Sequence, residues 1–218
     1  VLQGYGLTEC APLVTGNRDN WCRDGSAGIA IPGVEIKINN PDRKGIGEIF
    51  VKGSNVMLGY FNNLKETNNV LVNGWFHTGD LGRITREGFL YITGRCKNVI
   101  VTKNGKNIFP EELESYIKNS PYVAECVVYG ELDENTGETR VMANIFPNLE
   151  AIKETLKNVA NSINTEDIHN LLQEVIKNVN RRIPLYKHIR DIIIRESEFE
   201  KTTSRKIKRY AQQLPSSE

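Results

Sequence analysis

Four short segments concentrate residue types that could do chemistry, each on a turn-prone backbone. Gly4-Tyr5-Gly6-Leu7-Thr8-Glu9 sets an aromatic plane, a hydroxyl and a carboxylate close together on a backbone made compact by two glycines. A ring of that kind can stack on a base, the hydroxyl can bond a phosphate oxygen, and the carboxylate suits a hard divalent cation. Gly74-Trp75-Phe76-His77-Thr78-Gly79-Asp80-Leu81-Gly82 places Asp80 between glycines beside two large aromatics. An acceptor-only carboxylate there can take both hydroxyls of a ribose diol. His77 has no nucleophilic serine or cysteine ordered with it as in a triad, so it is assigned to packing or to stabilising the turn. Thr93-Gly94-Arg95-Cys96-Lys97-Asn98 offers a guanidinium for ribose or phosphate, then a lysine where the sequence texture changes. Lys201-Thr202-Thr203-Ser204-Arg205-Lys206-Ile207-Lys208-Arg209 is cationic and rich in hydroxyls. Taken singly, these are also what a turn with a surface acid, a hairpin, a linker and a solvated basic tail look like. Neither a G-x-x-x-x-G-K-[ST] phosphate loop nor a G-x-G-x-x-G dinucleotide motif is present.

The elements that must position these segments change character along the chain. From Gly25 to about Arg95 the sequence is glycine-punctuated and β-like. Alternation over 34–38, a short run at 47–51, and a hairpin pattern in which Ile84 and Phe89 flank Glu87-Gly88 predict small antiparallel sheets or a compact barrel. Beyond Arg95 the pattern is α+β. Strands are expected at 99–101, 122–129, 141–146 and 189–194, and a helix opens near Pro110 with Glu111 and Glu112 in its first turn. The strongest helix pattern, Ile168, Leu171, Leu172, Val175, Ile176 and Val179, starts from Thr165 as N-cap and stops before Pro184. Residues 149–164 fit either a helix face (Leu149, Ile152, Leu156, Val159) or a loose insertion. The boundary falls at 95–97, giving a β subdomain in 1–95 that ends a larger N-terminal domain, and a compact α+β domain in 96–218.

Composition excludes several classes. The 218 residues are 39% hydrophobic and 25% charged, which is globular material. Twenty-eight Lys and Arg against 27 Asp and Glu leave a formal charge of +1, with no global field to hold nucleic acid. No apolar run is long enough for a transmembrane helix and no signal-peptide pattern opens the chain, so a soluble, cytoplasmic protein is expected; peripheral membrane contact and oligomeric state stay open. Cys10, Cys22, Cys96 and Cys126 are scattered, which predicts reduced thiols and no structural zinc. The chain opens on Val1 and its first methionine is Met57, so it is read as a piece of a longer protein.

Taken in order, the segments resemble the adenylate-forming superfamily, and within it the AMP-forming acyl-CoA synthetases, or long-chain fatty-acid CoA ligases. The resemblance runs from Gly4 to Arg209. It rests on Tyr5-Gly6-Leu7-Thr8-Glu9, Gly47-Glu48-Ile49, Gly59-Tyr60, the segment ending in Thr78-Gly79-Asp80, Gly94-Arg95, Lys103-Asn104-Gly105-Lys106-Asn107-Ile108, Pro110-Glu111-Glu112-Leu113-Glu114 and the 201–209 segment. It implies a two-step reaction: a carboxylate attacks the α-phosphate of ATP to give acyl-AMP and pyrophosphate, then the thiol of coenzyme A displaces AMP. Carried over by motif, Gly4, Tyr5 and Gly6 would form the adenine-binding turn, with Tyr5 stacked on the base. Thr8 would contact the α-phosphate and Glu9 would help hold Mg²⁺. Asp80, with Arg95 beside it, would accept the ribose hydroxyls. Lys206 would be the mobile catalytic lysine, Lys97 the hinge between the half-reactions, and Gly105 part of the pantetheine channel.

The sequence departs from that pattern at two places: Glu200 stands where the family usually has proline, and Arg205 where it has glycine just before the catalytic lysine. Lys206 is preferred over Lys208 on spacing. The family's Ser/Thr/Gly-rich phosphate loop and most of the acyl pocket would lie upstream of Gly4, so the isolated chain is expected to be inactive. Two rival readings remain: an adenylation domain that loads a carrier protein, and a catalytically silent adenylate-binding or interaction domain. The joint presence of Glu9, Asp80, Arg95 and Lys206 speaks against the silent domain.

Overall fold

The structure, a computed structural model, describes residues 2–134, 136–156, 164–203 and 205–209. The chain divides into two compact units, Val1–Asn98 and Val99–Glu218. Both combine sheets with helices, the α+β class expected from the sequence.

In the first unit, β1 (Gly4–Gly6), β2 (Leu13–Gly16) and β3 (Ile29–Ala30) form a three-stranded antiparallel sheet. A second, five-stranded sheet is built on β7 (Trp75–Ile84), whose one edge pairs with β5 (Gly47–Gly53). Its other edge is shared, β6 (Leu71–Val72) taking the first part and β8 (Leu90–Arg95) the second, while β4 (Val34–Asn39) lies outside β5. Sheets rather than a closed barrel are what the glycine-punctuated pattern produces. The short helix α1 (Leu64–Val70) is capped by the Asn63 side chain, which accepts from the Glu66 amide at 3.1 Å. Val14, Ile49, Val51, Phe76 and Leu90 form the buried core between these layers, so β7 is gripped by apolar contacts as well as by the ladders on both its edges.

The second unit opens with the hairpin of β9 (Ile100–Val101) and β10 (Asn107–Ile108). Helix α2 (Pro110–Lys118) follows, with proline in its first turn and Glu111 and Glu112 near its positive end. A three-stranded sheet follows in the order β11 (Val123–Leu132), β12 (Thr139–Pro147), β13 (Ile189–Ile194). The β11–β12 pair is antiparallel, but β12–β13 is parallel and so needs a long crossover, which includes α3 (Leu149–Leu156) and α4 (Thr165–Asn180). The cap of α4 is Asn164, one residue before the expected Thr165. The Asn164 side chain accepts from the Asp167 amide at 2.8 Å and the Asp167 carboxylate accepts from the Asn164 amide at 3.1 Å, a reciprocal box that threonine at 165 does not form. In 149–164 the helical alternative holds up to Leu156, with Ile152 fully buried. Val159 lies outside the described residues. Leu113 and Ile117 of α2, Val128, Ala143 and Ile145 of the sheet, and Leu172 and Ile176 of α4 make one continuous core.

Candidate functional site

The chemistry in the first unit is organised around an irregularity in β7. Glu48 pairs with Leu81 and Phe50 with His77, so Ile49 of β5 faces three residues of β7: Thr78, Gly79 and Asp80. This bulge is tied down at each polar group. The Thr78 hydroxyl donates to the Ile49 carbonyl at 2.8 Å and accepts from the Asp80 amide at 3.0 Å, while the Gly79 amide donates to Glu48 Oε1 at 3.1 Å. A bulge re-aims the side chains it carries, and the last of the three here is Asp80.

Asp80 is buried, yet each carboxylate oxygen has a donor. Arg95 stands directly opposite it on β8 and gives Nε to Oδ1 at 2.9 Å; Tyr5, on β1, donates its hydroxyl to Oδ2 at 2.8 Å. Burial, and after it the Asp80 charge, pushes the Tyr5 phenol well above its ordinary range, so it stays protonated as the donor. The same surroundings act on Cys96, whose thiol is pushed up to about 11 by burial and then by the carboxylates of Glu48 and Asp80. A carboxylate oxygen accepts two hydrogen bonds, so Asp80 keeps acceptor capacity beyond its two internal partners.

The turn carrying the other expected residues is equally specific. A Cβ at Gly6 would come within 1.9 Å of the Pro12 carbonyl oxygen, so close backbone approach, more than flexibility, demands glycine there. Gly4 and Thr8 are exposed. Glu9 lies in a 3-10 turn and its Oε1 accepts from the Tyr60 hydroxyl at 3.1 Å, while its carbonyl accepts from the Met57 amide at 2.8 Å. Burial, then Glu9, raises the Tyr60 phenol. A single carboxylate steadied by a hydroxyl fits Mg²⁺, which is commonly held by one or two carboxylates together with phosphate oxygens and water. Among the described residues no cluster of three or more His, Cys, Asp or Glu forms an all-protein metal cage. His77 stacks on Phe50, ring centroids 3.8 Å apart, which is a packing role.

The remaining expected residues lie elsewhere. Lys97 is exposed in a 3-10 turn that ends at Asn98. Gly105 sits in the β9–β10 turn at φ +70°, and a Cβ there would meet nothing within 4 Å inside the unit; backbone conformation is the local reason for glycine. Lys206 is exposed beside Arg205, which adopts φ +60°, and among the described residues its side chain has no ion pair. Tyr5, Asp80 and Arg95 are therefore brought into one network and Glu9 is held by a separate contact. Sequence reasoning quoted Gly59-Tyr60 as a motif without finding the Tyr60 contact to Glu9, and it missed Thr78 and Glu48 as the supports of the bulge. Their signal was proximity to the quoted motifs; the pairing itself spans up to 51 residues and is invisible to local pattern.

Comparison with known proteins gives matches in both units of the chain. Residues 1–61 match the family model of the AMP-binding enzyme, and residues 112–206 that of the AMP-binding enzyme C-terminal domain. The two matches fall one in each compact unit, in the order of the chain. It is 40% identical over 144 residues to the long-chain-fatty-acid–CoA ligase of Escherichia coli O6:H1, covering 63% of this chain and 26% of that protein. It is also 40% identical over 154 residues to the indoleacetate–CoA ligase of Aromatoleum aromaticum, covering 67% of this chain and 30% of the relative. Among solved structures, o-succinylbenzoate coenzyme A synthetase from Bacillus subtilis, in complex with ATP and magnesium ion, superposes with a TM-score of 0.76 at 30% identity over 95% of this chain and 40% of that one. The anthranilate CoA ligase AuaEII in complex with anthranoyl-AMP gives a TM-score of 0.77 at 25% identity, covering 96% of this chain and 38% of that one. The chain thus spans well under half of each. No helix among its described residues is long and apolar enough to cross a membrane.

Proposed function

We propose that this chain is the nucleotide-facing and lysine-bearing part of an ATP-dependent, AMP-forming acid–CoA ligase, with the activity residing in the whole protein. The observation that carries this reading is Asp80, buried in the β7 bulge between the Tyr5 hydroxyl and Arg95. A carboxylate pre-oriented by two donors beside an aromatic ring suits a ribose diol with its base stacked nearby, and the organisation is in place before ligand arrives. In the first step a carboxylate oxygen bonds to the α-phosphorus of ATP and the bond to the bridging oxygen breaks, releasing pyrophosphate. In the second, the thiol sulfur bonds to the acyl carbonyl carbon and AMP leaves, the thiol proton passing to solvent.

Within this scheme Thr8 bonds an α-phosphate oxygen and Glu9, steadied by Tyr60, supplies a Mg²⁺ ligand. Mg²⁺, when bound, neutralises phosphate charge. Lys206 offers an exposed ammonium to the oxygens on which negative charge gathers in the first step. Lys97 is the hinge residue that lets the second unit change role between steps, and Gly105 borders the path of the pantetheine arm in the second.

The acid is a long-chain fatty acid on the strength of the E. coli relative, and an aryl acid on that of the indoleacetate ligase. The test is acid-dependent pyrophosphate exchange by the whole protein across fatty acids of graded length and aryl acetates, followed by thioester formation with coenzyme A and then with a carrier protein. Exchange that saturates with one acid class, with a KM for ATP raised roughly tenfold or more in Asp80→Asn, supports the proposal. Exchange indifferent to Asp80→Asn contradicts it, and transfer to the carrier alone moves the acceptor.

A further inference from the structure

The segment that follows Lys206 carries one unusually well-engaged side chain, Arg209. Lys201 and Ile207 form an isolated antiparallel bridge, so the residues around Lys206 make a hairpin. On its incoming side the Phe199 amide donates to Glu125 Oε2 at 3.0 Å, and the Lys201 ammonium pairs with Glu125 and with Glu198. On its outgoing side Arg209 Nη2 pairs with Glu114 Oε2 at 2.5 Å and stands 3.6 Å from Glu111 Oε1, while Nη1 donates to the Val128 carbonyl at 3.4 Å. Glu114 is itself buried on α2, and its second oxygen accepts from the Val128 amide at 2.7 Å. Arg209 therefore grips a carboxylate and a strand carbonyl that are already bonded to each other's residues. Lys208, by contrast, has an exposed pair with Glu200 at 3.8 Å, and among the described residues Lys206 has no ion pair with an acid.

A buried ion pair is weak evidence for stability, because desolvation offsets the attraction; fixing one register among several is the better-attested use. The hairpin needs such a device. Its two sides are tied by the Lys201–Ile207 bridge and by the Lys208 amide on the Glu200 carbonyl at 2.8 Å; a slip by one residue would turn Lys206 to the opposite face, and a slip by two would bring Lys208 to its place. We propose that Arg209, held by Glu114, is a positioning residue for the first step: it fixes the register of the outgoing side of the hairpin, so that Lys206 and not Lys208 is the ammonium presented. This rests on the reading of Lys206 given above.

The test measures the two half-reactions separately in the whole protein: pyrophosphate exchange, and thioester formation from supplied acyl-adenylate. Arg209→Gln is expected to lower the rate of the first roughly ten- to a hundredfold with little change in the KM for ATP, because misplacement of the order of an ångström costs that much. Thioester formation stays near wild type, Arg209→Lys recovers part of the loss, and Arg209→Gln adds nothing further in a Lys206→Ala background. Equal loss in both half-reactions, a loss that multiplies with that of Lys206→Ala, or no loss in a folded Arg209→Gln protein each overturns the proposal. Should Arg209→Gln fail to fold, Arg209→Lys carries the same comparison. If Lys206→Ala alone leaves pyrophosphate exchange intact, the reading of Lys206 falls and this inference with it; if Lys206→Ala abolishes exchange while Arg209 variants do not touch it, only this inference falls.

Discussion

The turn joining Thr102 to Lys106 and the turn joining Thr202 to Lys206 are closed by the same three hydrogen bonds. In the first, the Thr102 amide donates to the Lys106 carbonyl at 3.0 Å, the Gly105 amide to the Thr102 carbonyl at 2.8 Å, and the Lys106 amide to the Thr102 hydroxyl at 3.0 Å. In the second the corresponding distances, with Arg205 in place of glycine, are 2.8, 2.8 and 3.2 Å. The left-handed position is Gly105 at φ +70° in one and Arg205 at φ +60° in the other. Their footings differ more. The first hairpin is rooted by Ile100 and Ile108, both buried in the apolar core, while the second is flanked by charged anchors, Lys201 on Glu125 and Arg209 on Glu114. Their lysines differ accordingly. Lys106 lies 4.6 Å from the Tyr186 ring centroid, while Lys206 is exposed and has no ion pair among the described residues. One turn motif serves twice, once as a structural closure and once as a mount for a charge.

The largest consequence of that difference is catalytic. Lys206→Ala should lower pyrophosphate exchange by roughly a hundred- to a thousandfold, the size expected when one charge-stabilising donor is removed, whereas Lys106→Ala should leave it nearly unchanged. Comparable losses from both would end the distinction. Next in size is backbone strain. Gly105→Val places a branched side chain at positive φ and should cost about 1–2 kcal/mol in chemical denaturation, while Arg205→Gly relieves the same penalty and, after the entropy glycine loses on folding, should gain about 0.5–1 kcal/mol.

The two anchoring carboxylates should also titrate apart, as carboxyl-carbon NMR can read. Burial raises Glu114 above the ordinary carboxylate range, against the opposing pull of Arg209. Glu125 is also penalised by burial, but the Lys201 ammonium and the Phe199 amide bring it below that range. The ionised Glu114 therefore costs the fold at neutral pH, and that cost is relieved as pH falls through its raised value. Glu125 contributes stability that is present above the ordinary carboxylate range and lost as pH falls through its lowered value. Acidification thus frees the Arg209 side of the hairpin before the Lys201 side; the reverse order would contradict the assignment. The smallest effect is at Lys208, whose exposed pair with Glu200 should be worth less than about 0.5 kcal/mol on Lys208→Ala.

Much of this was legible in the sequence, and what escaped has a physical cause. Strand 189–194 and the helix opening at Pro110 came directly from composition, because a cluster of β-branched residues and first-turn acids are local signals. Tyr5, Asp80 and Arg95 were each singled out by residue type, but their meeting depends on a three-against-one bulge whose register no local pattern encodes. The parallel pairing of β12 with β13 was hidden for the same reason, since strand direction is set by the crossover through α4. Arg205 stood out as a departure from the family's glycine, and only the positive φ explains why glycine is usual there. The tail read as a run of charge; that two of its cations are engaged by acids on α2 and β11 requires contacts spanning more than seventy residues.

The account turns on the tail hairpin depending on charged anchors, beside the buried Phe199, where its twin is rooted in apolar side chains. Native-state hydrogen exchange at the Thr202 and Thr102 amides, compared between the full chain and its Arg209→Gln variant, tests this most directly. The prediction is that protection at Thr202 collapses while protection at Thr102 is unchanged. Equal loss at both amides, or full protection retained at Thr202, would contradict it.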